Sequence, residues 1–454
     1  MDFIRPYIET HKDRFRAELF DLLRIPSVSA DSVYQADVGH AAEWVAGQLE
    51  TIGVQAVEIC KTEGHPIVLG HHKVDDQAPT ILVYGHYDVQ PPDPVELWDS
   101  PPFEPTVKDG AVYARGASDD KGQMFAHLKA FELLQATRGA PCNVTFLIEG
   151  EEEVGSQSLP AFVAQRQGDL AADVVLISDT DMGSLEHPCI TTGLRGLSYV
   201  EVEVTGPNRD LHSGMYGGAV QNPINALCQM IACLHDGDGR VTVPGFYDDV
   251  ALPTEAEGQA MAAIPFDVAA YQKSLDLGAV YGEAGFTTRE RTSIRPTLDV
   301  NGIWGGYTGE GAKTVIASKA CAKISMRLVP RQNSAKITQL FAEFFPTLAP
   351  PGVRVAVKNL HGGEAAVTAT DSKAYRAASR AFEVAFGKTP HPLRSGGSNP
   401  IVALFKQALG VDTVLLGLGL PEDALHSPNE HFGLENFYRG IEAIAHFHHN
   451  FKAP

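Results

Sequence analysis

The sequence contains no long hydrophobic run and no closely spaced cysteine pair. No apolar stretch approaches the roughly 20 residues that a membrane-spanning helix needs, so no such span is expected. The six cysteines occur without a C-x-x-C motif, which gives no indication of a thiolate metal site. We expect free thiols, most of them buried as small apolar side chains.

Positive charge is also scarce, since 36 Lys and Arg are outnumbered by 56 Asp and Glu, for a formal net charge of −20. This excess of carboxylate argues against nucleic acid or an anionic membrane surface as a partner. Acidic residues instead favour solubility and, where they cluster, the binding of cations.

The first 23 residues mix apolar and charged side chains at helical spacing. They lack the uninterrupted apolar core and small-residue cleavage site of a signal peptide, and therefore predict an amphipathic helix. We accordingly expect a cytoplasmic protein. The three histidines near the end, at 446, 448 and 449, are expected on a solvated helix end.

The length of 454 residues predicts two domains. Short β-rich runs at 80–84, 143–148, 173–177 and 412–416 alternate with helical patterns at 41–52, 123–135 and 372–386, which is typical of an α/β sheet buried on both faces. In between, 198–205 and 322–329 alternate strictly, as strands with one solvated face do. We predict an α/β catalytic domain with a mostly parallel central sheet, from residues 1–193 and 364–454, interrupted by an inserted α+β domain at 194–363.

Side chains that bind metals recur just after the buried runs. In open α/β sheets ligands bind beyond the carboxyl ends of the strands, so these residues should meet at one edge. Each alone has a structural explanation; the paired aspartates, for example, could cap the following helix. Together they favour a metal site supplied by His86 and Asp88, Asp119 and Asp120, the acids between Glu149 and Glu153, Asp179, and His426.

Histidine and carboxylate ligands without thiolate suit zinc, cobalt or manganese. Two histidines and three carboxylates exceed what one tetrahedral zinc needs, whereas two metals that share a carboxylate would use all five. Such a pair lowers the pKa of a bridging water, and a carboxylate that is not a ligand must then take its proton. One of the glutamates at 151–153 is the candidate base.

The motifs GHYDVQP, YARGASDDKG, EGEEEVGS, KISMRLVP, GGSNP and HSPNE together resemble the aminoacylase, carnosinase and dipeptidase superfamily of di-zinc hydrolases. The nearest likeness is to its carnosinase and cytosolic dipeptidase branch. The resemblance implies a zinc-peptidase-type catalytic domain, with residues 194–363 as a lid and dimerisation domain.

The resemblance also implies individual roles in the catalytic domain. His86 and Asp179 would hold one zinc, Glu153 and His426 the other, and Asp119 would bridge them. Asp88 would orient the His86 imidazole. Glu152 would be the general acid and base, and the peptide between Asp119 and Asp120 would be cis.

In the inserted domain, the resemblance implies that His212 reaches into the active site of a second subunit of a homodimer. Arg327 would bind the terminal carboxylate of the substrate, as its planar fork allows. His361, Ser398 and Thr314 would make further substrate contacts.

The resemblance therefore predicts a metallopeptidase that hydrolyses dipeptides with a free C-terminal carboxylate. An amidohydrolase of N-acyl or N-carbamoyl amino acids would use the same two metals, because the motifs report the chemistry and not the acyl group. A non-catalytic binding protein should have lost a ligand or the base, whereas all of these residues are present.

Overall fold

The computed structural model describes residues 1–397 and 399–453, which form two compact units. Unit 1 contains Met1–Thr192, Thr368–Leu393 and the chain from Leu404 onward. Unit 2 contains Gly193–Val367 and Arg394–Ala403. Unit 1 is therefore assembled from segments on both sides of unit 2 in the sequence.

The first part of the chain supplies most strands of unit 1. Its elements are α1 (Ile4–Leu23), α2 (Gln35–Thr51), β1 (Ala56–Cys60), β2 (Ile67–His72), β3 (Thr80–His86), β4 (Thr106–Lys108), β5 (Ala111–Tyr113), α3 (Lys121–Thr137), β6 (Asn143–Glu149), α4 (Leu159–Gln165), β7 (Val174–Ile177) and β8 (Cys189–Leu194).

Unit 2 follows, and the last segments return to unit 1. The elements are β9 (Gly196–Thr205), β10 (Leu211–His212), α5 (Ser213–Tyr216), α6 (Pro223–Ala232), α7 (Glu255–Ala262), α8 (Val268–Ser274), α9 (Thr288–Ser293), β11 (Thr297–Gly305), β12 (Val315–Ile316), β13 (Lys319–Leu328), α10 (Ser334–Phe344), β14 (Arg354–Gly363), β15 (Ala366–Val367), α11 (Lys373–Phe386), β16 (His391–Arg394), α12 (Pro400–Leu409), β17 (Thr413–Leu415), β18 (His431–Gly433) and α13 (Leu434–Lys452).

Seven strands of the central sheet of unit 1 lie in the order β1-β2-β6-β3-β7-β17-β8. The four strands β6, β3, β7 and β17 pair in parallel, while β1, β2 and β8 add antiparallel pairings on the two sides. The parallel strands are almost wholly buried, as strands covered on both faces must be. The carboxyl ends of these four strands consequently lie along one edge of the sheet.

The sheet of unit 2 has the strand order β11-β13-β9-β14, all antiparallel. Burial alternates residue by residue along β9, which leaves one face of that strand to pack in a core. Val200, Val202 and Val204 on this face join a cluster with side chains of α6 and α10, such as Leu227 and Phe341. This is the one-sided packing that the alternating segments predict.

The tail histidines contradict the expectation of a solvated helix end. His446 and His448 are only 6% and 2% exposed. They lie on α13, which packs against α3 and α11, so that much of this terminal helix faces the core. The sequence pattern of α13 does not reveal this burial, because a neutral imidazole is apolar enough to pack in a core, and burial lowers the pKa of His448 to about 3.

None of the helices in residues 1–397 and 399–453 combines the length and the apolar character that a membrane span needs. The six cysteines lie in this part of the chain as free thiols, and four of them are buried. The N-terminal amphipathic helix is present as α1, whose buried side chains include Ile4, Ile8 and Phe15.

Two helical glycines should respond oppositely to replacement by alanine. A Cβ on Gly47 in α2 would meet nothing within 4 Å, so Gly47→Ala should stabilise the protein by about 0.5–1 kcal/mol through helix propensity. A Cβ on Gly440 in α13 would lie 2.4 Å from Cδ1 of the buried Leu418, so Gly440→Ala should destabilise it by roughly 1–3 kcal/mol. Urea unfolding followed by circular dichroism measures both, and a stabilised Gly440→Ala would contradict the packing argument.

Candidate metal centre

The candidate ligands are delivered by the ends of neighbouring parallel strands. β3 ends at His86, β6 ends at Glu149 just before the Glu151–Glu153 run, and Asp179 lies two residues beyond β7. His426 follows β17 in the connection to β18. The single edge that the sequence predicts is therefore formed by β3, β6, β7 and β17.

Five of the predicted residues form two groups that share Asp119. His86, Asp119 and Asp179 make one group, and Asp119, Glu153 and His426 make the other. In each group the potential ligand atoms all lie within 4.8 Å of one another. A shared carboxylate between two such groups is the arrangement that two neighbouring cations require.

The distances within both groups suit side chains that point to a common centre. Nε2 of His86 lies 3.2 Å from Oδ1 of Asp119 and 4.0 Å from Oδ1 of Asp179. Nε2 of His426 lies 2.8 Å from Oδ2 of Asp119 and 3.3 Å from Oε2 of Glu153. The two oxygens of Asp119 thus face different histidines, and its peptide bond to Asp120 is cis.

Asp88 connects His86 with the turn that carries the glutamates. Its backbone oxygen lies 3.1 Å from Nδ1 of His86, which leaves Nε2 directed at the shared carboxylate. Its own carboxylate accepts hydrogen bonds from the backbone N–H groups of Glu152 and Glu153, at 3.3 and 3.1 Å. Ser29 donates to it at 2.6 Å. Asp88 therefore positions an imidazole and two glutamates at once.

Sequence reasoning missed a buried ion pair that supports Asp119. Glu430 accepts a hydrogen bond from Arg115 at 2.6 Å and from the backbone N–H groups of Gly116, Ser118 and Asp119 at 2.9–3.0 Å. Both side chains of the pair are at most 1% exposed. Glu430 lies within the quoted HSPNE motif, but nothing in the local pattern indicates a partner 315 residues away.

Glu152 lies in the same cluster, in the short 3-10 turn Glu152–Val154. Burial raises its pKa to about 7, and the carboxylates of Glu153 and Asp119 add to the rise while His86 opposes it. A carboxyl group with a pKa near neutrality can both accept and return a proton, as a general acid and base must.

The histidines of the described residues compensate Asp119, but the cluster as a whole still holds several mutually repelling carboxylates. Burial and the neighbouring Asp120 and Asp119 raise the pKa of Asp179 well above its usual value. Oδ1 of Asp120 and Oε1 of Glu153 are buried without a hydrogen-bond donor among the described residues. Bound cations would remove this repulsion and satisfy these oxygens, so the residues present fit a metal site.

The remaining predicted residues that the structure describes, His212, Thr314, Arg327 and His361, lie in unit 2. His212 on β10 and Thr314 are adjacent, since the N–H of Ser213 donates to the Thr314 oxygen at 3.0 Å. Arg327 lies half-buried on β13, and His361 on β14 is exposed with its ring 5.2 Å from that of Tyr199. Ser398 lies outside the described residues.

Comparison with known proteins agrees with this arrangement. The sequence profile of peptidase family M20/M25/M40 matches residues 82–450. A Cys-Gly metallodipeptidase of Schizosaccharomyces pombe is 33% identical over 99% of this chain and 98% of the relative. The Beta-Ala-His dipeptidase of Homo sapiens is 32% identical over 97% of this chain and 90% of the relative.

A solved structure gives the same result for the fold. The M20 family metallo-carboxypeptidase Sso-CP2 from Sulfolobus solfataricus is similar with a TM-score of 0.86 at 31% identity, over 97% of this chain and 99% of that chain. The predicted fold class and the predicted superfamily are confirmed. The chain belongs to peptidase family M20/M25/M40.

Proposed function

We propose that this protein is a dipeptidase that uses two metal ions and cleaves substrates with a free C-terminal carboxylate. The observation that carries the proposal is the pair of ligand groups that share Asp119. The names of the relatives, a Cys-Gly metallodipeptidase and a Beta-Ala-His dipeptidase, support a dipeptide as the substrate.

In this proposal His86 and Asp179 would hold one zinc, Glu153 and His426 would hold the other, and Asp119 would contribute to both. Manganese or cobalt would suit the same oxygen and nitrogen ligands. When bound, such a pair supplies Lewis acidity and lowers the pKa of a coordinated water.

The protein's own groups perform the proton transfers. Glu152 takes a proton from the attacking water and returns it to the nitrogen of the leaving amine. Asp88 fixes the backbone of Glu152 and the ring of His86 relative to each other through the hydrogen bonds described above. The raised pKa of Glu152 supports this double role.

Arg327 is proposed to bind the terminal carboxylate, with His361, Thr314 and Ser398 as further substrate contacts. Arg327 is half-buried, and burial lowers its pKa while Asp299 opposes the change. A partly desolvated guanidinium of this kind binds carboxylate more strongly than an exposed one does.

A homodimer is proposed because His212 and its surroundings in unit 2 are exposed. Its Nδ1 accepts from the N–H of Gly214 at 3.0 Å, which fixes the ring while Nε2 remains available. Met215 is 76% exposed, and the edge strand β11 presents Ile303 and Trp304 to solvent. Exposed apolar side chains on a sheet edge are typical of a surface that a second copy covers.

A cytoplasmic location is also proposed. The six cysteines are free, as thiols are in a reducing compartment.

The proposal is tested by amino acid release from a panel of dipeptides, dipeptide amides and N-acyl and N-carbamoyl amino acids. We expect zinc-dependent release from dipeptides, and Glu152→Gln should lower kcat at least about 100-fold while still binding metal. Glu151→Gln is the matched control, because the Glu151 carboxylate accepts a hydrogen bond from the N–H of Ser158 and an amide oxygen can accept the same bond. Release only from acylated or carbamoylated amino acids would instead favour the amidohydrolase.

Metal should stabilise the protein more at high pH than at low pH. Burial raises the pKa of Glu149 to about 8 and that of Glu152 to about 7. Near pH 6 these two carboxyl groups therefore keep their protons in the metal-free folded chain, whereas the unfolded chain has lost them. This contribution to stability is lost as the pH rises through those values, whereas the positive charge of nearby metal ions would favour the ionised form of the same carboxyl groups. The rise in Tm on adding zinc should therefore be larger at about pH 8 than at about pH 6; an equal rise would contradict the assigned site.

His212→Ala should abolish most activity if His212 completes the site of a second subunit. Mixing and refolding this variant with Glu152→Gln should then restore part of it, because one of the two sites in a heterodimer has both residues intact. His40→Ala, an exposed histidine on α2, serves as the control and should remain active. Absence of restored activity at every mixing ratio would exclude the shared site.

A further inference from the structure

Arg195 joins three segments of unit 2 from the turn between β8 and β9. Its Nε donates to the carbonyl of Gly396 at 2.8 Å, and its backbone N–H donates to that of Gly397 at 2.9 Å. Its Nη1 lies 3.5 Å both from the carbonyl oxygen of Arg295 and from Oγ1 of Thr297. One side chain thus connects the turn with residues 395–397, which we name the glycine segment, and with the start of β11.

The glycine segment is held closely on both sides. The N–H of Ser395 donates to the carbonyl of Gly193 at 2.8 Å. A Cβ on Gly396 would lie 2.2 Å from the backbone oxygen of Thr292 and 3.2 Å from Nη2 of Arg195. A larger residue at this position would therefore require the segment or its neighbours Thr292 and Arg195 to shift.

The same contacts lead to Arg327. Thr297 on β11 and Leu197 on β9 are the strand partners of Arg327 on β13. Because Arg195 contacts Thr297, its side chain reaches a direct strand neighbour of Arg327. Burial lowers the pKa of Arg195 to about 10, the charge of Arg327 adds to this effect and Asp299 opposes it. Asp299 also acts on Arg327, so one carboxylate serves two guanidinium groups. The surplus positive charge suits a carboxylate of the substrate.

We propose that Arg195 is a positioning residue for recognition of the substrate's terminal carboxylate. Its side chain ties the glycine segment to Thr297, the strand partner of Arg327. The inference rests on the proposed function, in which Arg327 binds that carboxylate. The planar fork of arginine serves Gly396 and Arg295 from one side chain, whereas the single ammonium of lysine cannot reproduce both directions.

The test compares steady-state kinetics on a dipeptide and on its C-terminal amide. In Arg195→Gln and in Arg195→Lys, KM for the free acid should rise about tenfold or more, the scale of a lost charge-assisted interaction, while kcat changes less than about threefold. KM for the amide should stay near its wild-type value. Arg354→Gln, an exposed arginine on β14, is the control and should leave both constants unchanged.

Gly396→Ala distinguishes a positioning role of Arg195 from a purely electrostatic role, because it disturbs the glycine segment and keeps the charge of Arg195. This variant should also raise KM for the free acid. It provides the test of the proposal if Arg195→Gln does not fold. An unchanged KM in Gly396→Ala, or full recovery in Arg195→Lys, would overturn the positioning role. Wild-type protein that cleaves no dipeptide would overturn both this inference and the proposed function, whereas active wild type with unaltered KM in the variants would overturn this inference alone.

Discussion

The candidate metal centre depends on a buried carboxylate that binds no metal in our assignment. Glu430 accepts hydrogen bonds from Arg115 and from the backbone N–H groups of Gly116, Ser118 and Asp119, and thereby holds the loop that ends in Asp119. The loss of either partner would leave an uncompensated buried charge, which is strongly destabilising. Because Asp119 is shared by both ligand groups, an error in this loop would displace both groups together.

In the rest of the site, the backbone holds the candidate ligands in fixed positions, although their acidic side chains repel one another. The parallel strands fix where His86 and Asp179 emerge, and Asp88 fixes the orientation of the neighbouring ring and turn. The clustered acids then repel one another, as the raised pKa of Asp179 records. His426 adds a left-handed backbone, with φ of +58°, a conformation that costs on the order of 1 kcal/mol or more for a non-glycine residue. Binding of cations would repay part of this cost.

Much of this organisation could be predicted from sequence, for identifiable reasons. Buried strands such as β3 and β6 are visible as apolar runs, and the residues that follow them must emerge at one edge. The antiparallel flanks of the central sheet, the pairing of Glu430 with Arg115 and the burial of His448 could not be predicted, because each depends on contacts between segments remote in the chain. The individual catalytic and substrate-binding roles remain predictions.

The position of β17 also has a consequence for biosynthesis. This strand lies between β7 and β8 and is made long after both, since all of Gly193–Val367 is translated in the interval. A nascent chain that has emerged only through β8 therefore leaves strand edges of β7 and β8 unpaired and lacks the candidate ligand His426. Aggregation through those edges is the hazard during this period. The full set of candidate ligands is present only after the segment that contains His426 has been translated.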